Sequence, residues 1–420
     1  MASAAPVTVL GANNQTVTLN YDTTTAQQIA ATLAASITAG VLAGTTIPSN
    51  GGTAALGSGQ TGELVANTPR QMYFMSPGYE DAVIGAGGLA TVFGSGGNNE
   101  SILKNNGALT FIATAGSGTV VAGGSVQIYG QTYYYGSDII LPASDAGNWG
   151  VATGNGNDTV VAAGAGNDSI AAGGGTNNIQ LGGGSDQILT TGFDIIQGGS
   201  GSATVSALAG GHDRIVAGSG NFDVTASGNA IVVMLAGTGS DTFTGGSGIA
   251  IIHGGTGGNH LLTAGTGPTT LFGGGSGDRL TAGGAHQILI AGAGAETLQG
   301  AATGFDRLRA GAGADSLGAS GNYNVLIGGL GTATMNASGS HNEFLFINAG
   351  KAGGGSDTIT GFNSTDKIAV YAYAPGEVAY AVKNQTALSG GSTTVTLTDN
   401  TKITFTGLST QLTAQNFTFL

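Results

Sequence analysis

Between Val160 and Phe344 a large apolar side chain follows each glycine-rich turn, close to once every nine residues. The members are Val160, Ile170, Ile179, Ile188, Ile196, Val205, Ile215, Val224, Ile231, Phe243, Ile251, Leu261, Leu271, Leu280, Ile288, Leu298, Leu308, Leu317, Val325, Met335 and Phe344. They span 184 positions in twenty steps, a mean of 9.2 residues. Neither the helical period nor simple strand alternation gives that spacing. It predicts a coil that lays down a short strand, turns, and buries each apolar peg against the units stacked beside it. The expected fold is all-β: a parallel β-roll or β-solenoid of nonapeptide-like repeats. A small N-terminal hairpin-plus-helix region and a C-terminal β cap complete it. Twenty half-turns make about ten rungs in this stretch.

The flanks read differently. Val7, Val9 and Leu10, then Val17, Leu19 and Tyr21, flank Gly11-Ala12-Asn13-Asn14 as a hairpin. A helix follows, capped by Thr23 to Thr25, with Ile29, Leu33 and Ile37 on one face and Gly40 as its stop. Residues 1–78 are therefore a cap or assembly region, either closing the first strand or docking another subunit. Residues 79–150 form a first coil segment, interrupted from Tyr133 to Trp149 by an aromatic loop that leaves the coil. Residues 151–350 are the regular coil. Residues 351–420 are a C-terminal cap, in which Ser392 to Leu397 and Thr401 to Phe405 pair across the turn Asp399-Asn400.

Composition narrows the class. Gly supplies 81 of 420 residues, charged residues 8 % and hydrophobic residues 40 %, which excludes both collagen and a disordered acidic tail. The formal charge of −13, with only ten Lys and Arg, argues against nucleic acid and suits cations. No cysteine is present, no N-terminal secretory signal is visible, and no apolar run suggests a membrane span.

Two residues before many pegs stands a carboxylate: Asp158, Asp168, Asp186, Asp194, Asp213, Asp241, Asp278, Glu296, Asp306 and Asp315. Glycine turns can bend at positive φ and expose carbonyl oxygens, and a closing Asp adds a hard anionic oxygen. Such donors suit calcium, which takes six to eight oxygens. The best turns are Gly164-Ala165-Gly166-Asn167-Asp168, Gly237-Thr238-Gly239-Ser240-Asp241 and Gly311-Ala312-Gly313-Ala314-Asp315. They resemble the RTX family of calcium-binding nonapeptide proteins, whose repeat is G-G-x-G-x-D-x-U-x.

The resemblance implies Ca2+ between alternate turns on one side of the roll. Three pairs are the candidates: Gly164, Gly166 and Asp168 with Gly182, Gly184 and Asp186; Gly237, Gly239 and Asp241 with Asn259; and Glu296 with Gly311, Gly313 and Asp315. Elsewhere the slot holds Asn178, Ala203, Ala250, Thr269, His286, Asn324 and Ala333. Only a few ions are therefore expected, and Asn or Thr ladders could replace the ion by hydrogen bonds. The resemblance also implies export by a type I secretion machinery, on a C-terminal signal within residues 357–420, to the cell surface or beyond.

No catalytic constellation is present. The five histidines form no H-E-x-x-H, no G-x-S-x-G occurs, and the glycine triplets precede no helix. His253 and His260 could share a metal, although exposed turn residues are the plainer reading. The expectation is a non-enzymatic, self-associating structural protein of a surface layer, filament or biofilm fibre. The alternative is a calcium-dependent adhesin that takes surface or matrix glycans on the Tyr133–Trp149 loop.

Overall fold

The computed structural model describes residues 6–420, apart from 51–53, 69–70, 86, 124, 129–130, 349, 351–353, 389 and 409. The chain is a parallel β-solenoid of about 15 turns, with 44 % strand and 9 % helix. Each full turn carries two short strands, one in each of two long sheets. Ile170 pairs with Ile188 in sheet I, and Val160 pairs with Ile179 in sheet II. The chain divides into two units, residues 1–221 and 222–420.

In the first unit, β1 (Val7–Leu10) and β2 (Thr16–Leu19) form the expected hairpin. Helix α1 (Thr24–Ala43) follows, and the Thr23 hydroxyl accepts the Ala26 N–H at 3.3 Å. Its stop is Gly44, left-handed at φ 72°, not Gly40. Gly40 instead lies where a Cβ would sit 2.4 Å from the Thr46 hydroxyl, so helix and first rung meet there without room for a side chain. The buried stripe is Ala26, Ala30, Ala34 and Ile37; Ile29 and Leu33 are only partly covered. Among the described residues α1 is the one helix that by length and composition could cross a membrane, a feature the sequence reading passed over. Here it packs with the hairpin on the outer face of sheet I, over Val65, Val83, Leu103, Val121 and Ala152.

The parallel ladder begins with β3 (Thr46–Asn50), inside the segment read as the 1–78 cap. The element that leaves the coil is a hairpin of Ser125–Ile128 and Gln131–Tyr134, earlier than the predicted loop. Residues Asp138–Leu141 and Trp149–Ala152 are ordinary rungs. Trp149 is buried, 5.3 Å from the Phe111 ring, and its indole N–H donates to Asp145 Oδ2 at 2.8 Å.

In the second unit the ladder continues past residue 351. Ser356–Thr360 and Lys402–Thr406 extend sheet I, and Lys367–Tyr371 and Phe417–Phe419 extend sheet II. The predicted hairpin is present, with Asn400 at φ 71°, and a short helix α2 (Glu377–Lys383) was not foreseen.

Sixteen of the twenty-one predicted pegs are buried. The other five are displaced by one residue: Val232, Ile252, Leu262, Leu289 and Leu326 point inward, whereas Ile231, Ile251, Leu261, Ile288 and Val325 face out wholly or in part. Each miss is an apolar doublet. A one-residue slip reverses the face, and hydrophobicity alone cannot choose between equal neighbours.

Candidate functional site

The slot residue sits at the corner where a turn enters its strand, two positions before the inward peg. Strand alternation therefore points its side chain inward as well. All ten slot carboxylates are buried. The slot is displaced where doublets misled the reading, its occupants being His260 and Gln287, not Asn259 and His286; before the correctly read peg Ile179 it is Asn177, not Asn178. Asn259 and His286 lie one residue earlier, at φ 63° and 62°.

Inside the coil these side chains build two polar spines. Most accept the backbone N–H of the slot residue one turn before, whereas Gln287 and Glu296 accept the N–H of Gly283 and Gly294 in their own turns. Along sheet I, Trp149 donates to Asp168 Oδ1 at 2.8 Å, Asp168 to Asp186 Oδ1 at 2.9 Å, and Glu296 to Asp315 Oδ1 at 3.0 Å. Asp241 donates to His260 Nδ1 at 3.0 Å, and His260 to Asp278 Oδ1 at 2.9 Å. Along sheet II, Asp158 donates to Asn177 Oδ1 at 3.0 Å, while Gln287, Asp306, Asn324 and Asn342 donate in turn to Asp306, Asn324, Asn342 and Asp366 at 2.8–2.9 Å. The second carboxylate oxygen often closes its own turn: Oδ2 of Asp241, Asp278 and Asp315 accepts the N–H of Gly237, Gly274 and Gly311 at 2.7–2.8 Å.

The glycines also let successive corners pack closely, and Gly184 adopts the positive φ expected of a turn, at 82°. A Cβ on Gly166 would lie 1.9 Å from the Gly147 carbonyl oxygen, and one on Gly184 would lie 2.0 Å from that of Gly166, so the corners stack backbone on backbone. Several carbonyls expected to face an ion already accept the next turn. Gly164 O accepts Gly183 N–H at 2.7 Å, Gly182 O accepts Gly201 at 3.0 Å, and Gly313 O accepts Thr332 at 3.0 Å.

This donor set is a poor fit to a calcium array. Aspartate, asparagine, glutamine and histidine all fill the slot and take comparable backbone bonds, so what the slot supplies throughout is an acceptor. Leftover buried oxygens exist singly, at Asp158 Oδ2, Asp213 Oδ1, Glu296 Oε2 and Asp357 Oδ2. That is far from six to eight oxygen ligands. Among the described residues no three His, Asp or Glu side chains converge on one point. His253 and His260 do not meet: His253 stacks on Phe272 at 4.3 Å, while His260 is buried in the spine, 3.6 Å from Asp241 Oδ2.

Enclosure makes ionisation costly. Burial raises Asp158 to about 7, and burial with Asp194 alongside raises Asp213 to about 7. Burial, then the neighbouring Asp315, raises Glu296 to about 8. Asp186 and Asp357 rise to about 6 and about 7, again chiefly from burial.

Comparison with family models, with curated proteins and with solved structures finds no match. The solenoid is compatible with an RTX-type β-roll, and that likeness rests on the fold and the repeat motif.

Proposed function

We propose that this protein is a structural solenoid that associates with copies of itself through the bare outer face of sheet II in residues 231–290. One observation carries the reading. Val233, Leu235, Ile251 and Ile288 are 37–49 % exposed on adjoining rigid strands. In register, Val233 adjoins Ile251, and Thr270 adjoins Ile288; in the next column Leu235, His253, Phe272 and Ile290 run side by side. None of these outward residues is Asp, Glu, Lys or Arg, and the next strand towards the C-terminus brings Arg307 and Arg309 beside Ile288 and Ile290. A flat apolar face of this kind marks an interaction surface. Presented by every copy, it is self-complementary about a two-fold axis.

Solenoids are typical of structural, non-enzymatic proteins. The cell-surface or matrix setting and type I export implied by the RTX motif belong to the same reading. The spine supports rungs held by hydrogen bonds, with calcium supplementary at most. The glycan-adhesin alternative loses its anchor, since Trp149 lies inside the coil.

The test is sedimentation velocity and electron microscopy of the wild type and of Leu235→Lys/Ile251→Lys. Concentration-dependent association, abolished in the double variant, is expected. A monomer at every concentration overturns the proposal.

A further inference from the structure

We propose that the groove between α2 and the strand Phe417–Phe419, within the second unit, binds the anion of a free fatty acid. The groove encloses about 720 Å³, inside the range of roughly 300–1,000 Å³ usual for small-ligand sites. Pro375, Val378, Ala379 and Val382, at and along α2, line it together with Ala414 and Phe419. Lys383 is the only polar side chain among the described lining residues.

The helix wall is held from its other residues. Ala381 is fully buried, and the Glu377 carboxylate, 2 % exposed, accepts the Thr398 N–H at 2.9 Å and the Thr398 hydroxyl as well. The one acid of α2 is therefore already engaged, and no carboxylate lines the groove.

Two features choose the occupant. The first is continuity with the core. Phe346, Val370 and Phe419 stand in register on the inward side of sheet II, and the first two are 2 % and 0 % exposed. Phe419 is 48 % exposed and lines the groove instead, so core-type apolar surface is bare there. The second is charge complementarity. Lys383 is exposed, has no acid beside it in the lining, and belongs to a chain with ten basic residues against 23 acidic ones. A sugar or a polypeptide segment would bring many hydrogen-bonding groups, which one ammonium cannot satisfy. A fatty-acid anion brings a single charged head for Lys383 and a run of methylenes for the walls. This groove is separate from the face proposed for self-association, and neither reading depends on the other.

Isothermal titration of the full chain with octanoate, decanoate and laurate, each below its micelle concentration, tests the site, with 1-octanol as the neutral probe. Saturable one-site binding is expected, tightening about fourfold per added methylene until the groove is filled. Lys383→Gln should weaken octanoate about threefold or more and leave 1-octanol unchanged. Ala379→Trp, which fills the groove from an exposed helix position, should abolish binding of all four probes without lowering the melting temperature. Absence of saturable heat, affinity indifferent to chain length or to Lys383→Gln, unchanged binding in Ala379→Trp, or uptake only onto phosphatidylglycerol vesicles overturns the proposal. So does a self-associated species that Ala379→Trp dissolves in sedimentation velocity, which would give the groove to a second copy.

Discussion

The two units treat an apolar outer face in opposite ways. In the first, Val65, Val83, Leu103, Val121 and Ala152 of sheet I are roofed by the hairpin and α1. In the second, Val233, Leu235, Ile251 and Ile288 of sheet II stand in solvent. The coil is similar in both, and its interior is satisfied by the same pegs and spines. Outward apolar residues are therefore not needed to close a rung. The roof of the first unit shows what the bare face of the second lacks.

The comparison breaks most sharply with one charge in each place. Leu103→Asp puts a carboxylate under the roof and should cost more than about 3 kcal/mol, seen as a large fall in melting temperature. Leu235→Asp should change monomer stability by no more than about 0.5 kcal/mol while weakening self-association. Equal destabilisation by the two would mean the second face is covered.

The spine should respond next. Asp306 accepts the N–H groups of Gln287 and Ala301 at 2.9 and 2.7 Å. Asp306→Ala leaves both unpaired and should cost about 2–3 kcal/mol in denaturant titration. Asp306→Asn keeps the acceptor, as Asn324 does one turn on, and should cost clearly less.

Acidity gives a smaller, distributed effect. Carboxylates with folded values raised to about 7 or 8, as at Asp158, Asp213, Glu296 and Asp357, bind more protons folded than unfolded. Their stabilising contribution is complete below the ordinary carboxylate range and is lost as pH rises through the folded values. Chemical denaturation should thus show higher stability near pH 5 than near pH 9. The smallest change concerns calcium: with rungs held by hydrogen bonds, the far-ultraviolet sheet signal should survive excess chelator. A coil-to-sheet transition on adding calcium would instead restore the ion to the turns.

Much of this coil can be read in the sequence because each turn repeats the same demand: a glycine corner, an inward acceptor, an inward peg. The rhythm identified the solenoid and its core. It failed at doublets such as Ile251-Ile252 and Leu261-Leu262, where either neighbour satisfies burial, and that slip carried Asn259 into the slot held by His260. The slot carboxylates were found, but their partners were not. An Asp that binds an ion and an Asp that binds an N–H eighteen residues earlier leave the same mark on a single chain. The presence of Asn, Gln and His in the slot was the available clue, since only acceptor capacity is common to them. Trp149 was misplaced because an aromatic cluster was read as surface; Phe111 and Asp145, which enclose it, are distant or inconspicuous in sequence.

The corner stacking has an evolutionary corollary. With Gly166 and Gly184 fitted against carbonyls at about 2 Å from any added carbon, single replacements at a corner wedge turns apart. Removing or duplicating a complete turn of 18 or 19 residues disturbs only one junction. Descendants of this chain should therefore differ in size by entire turns far more readily than they differ at the corners themselves.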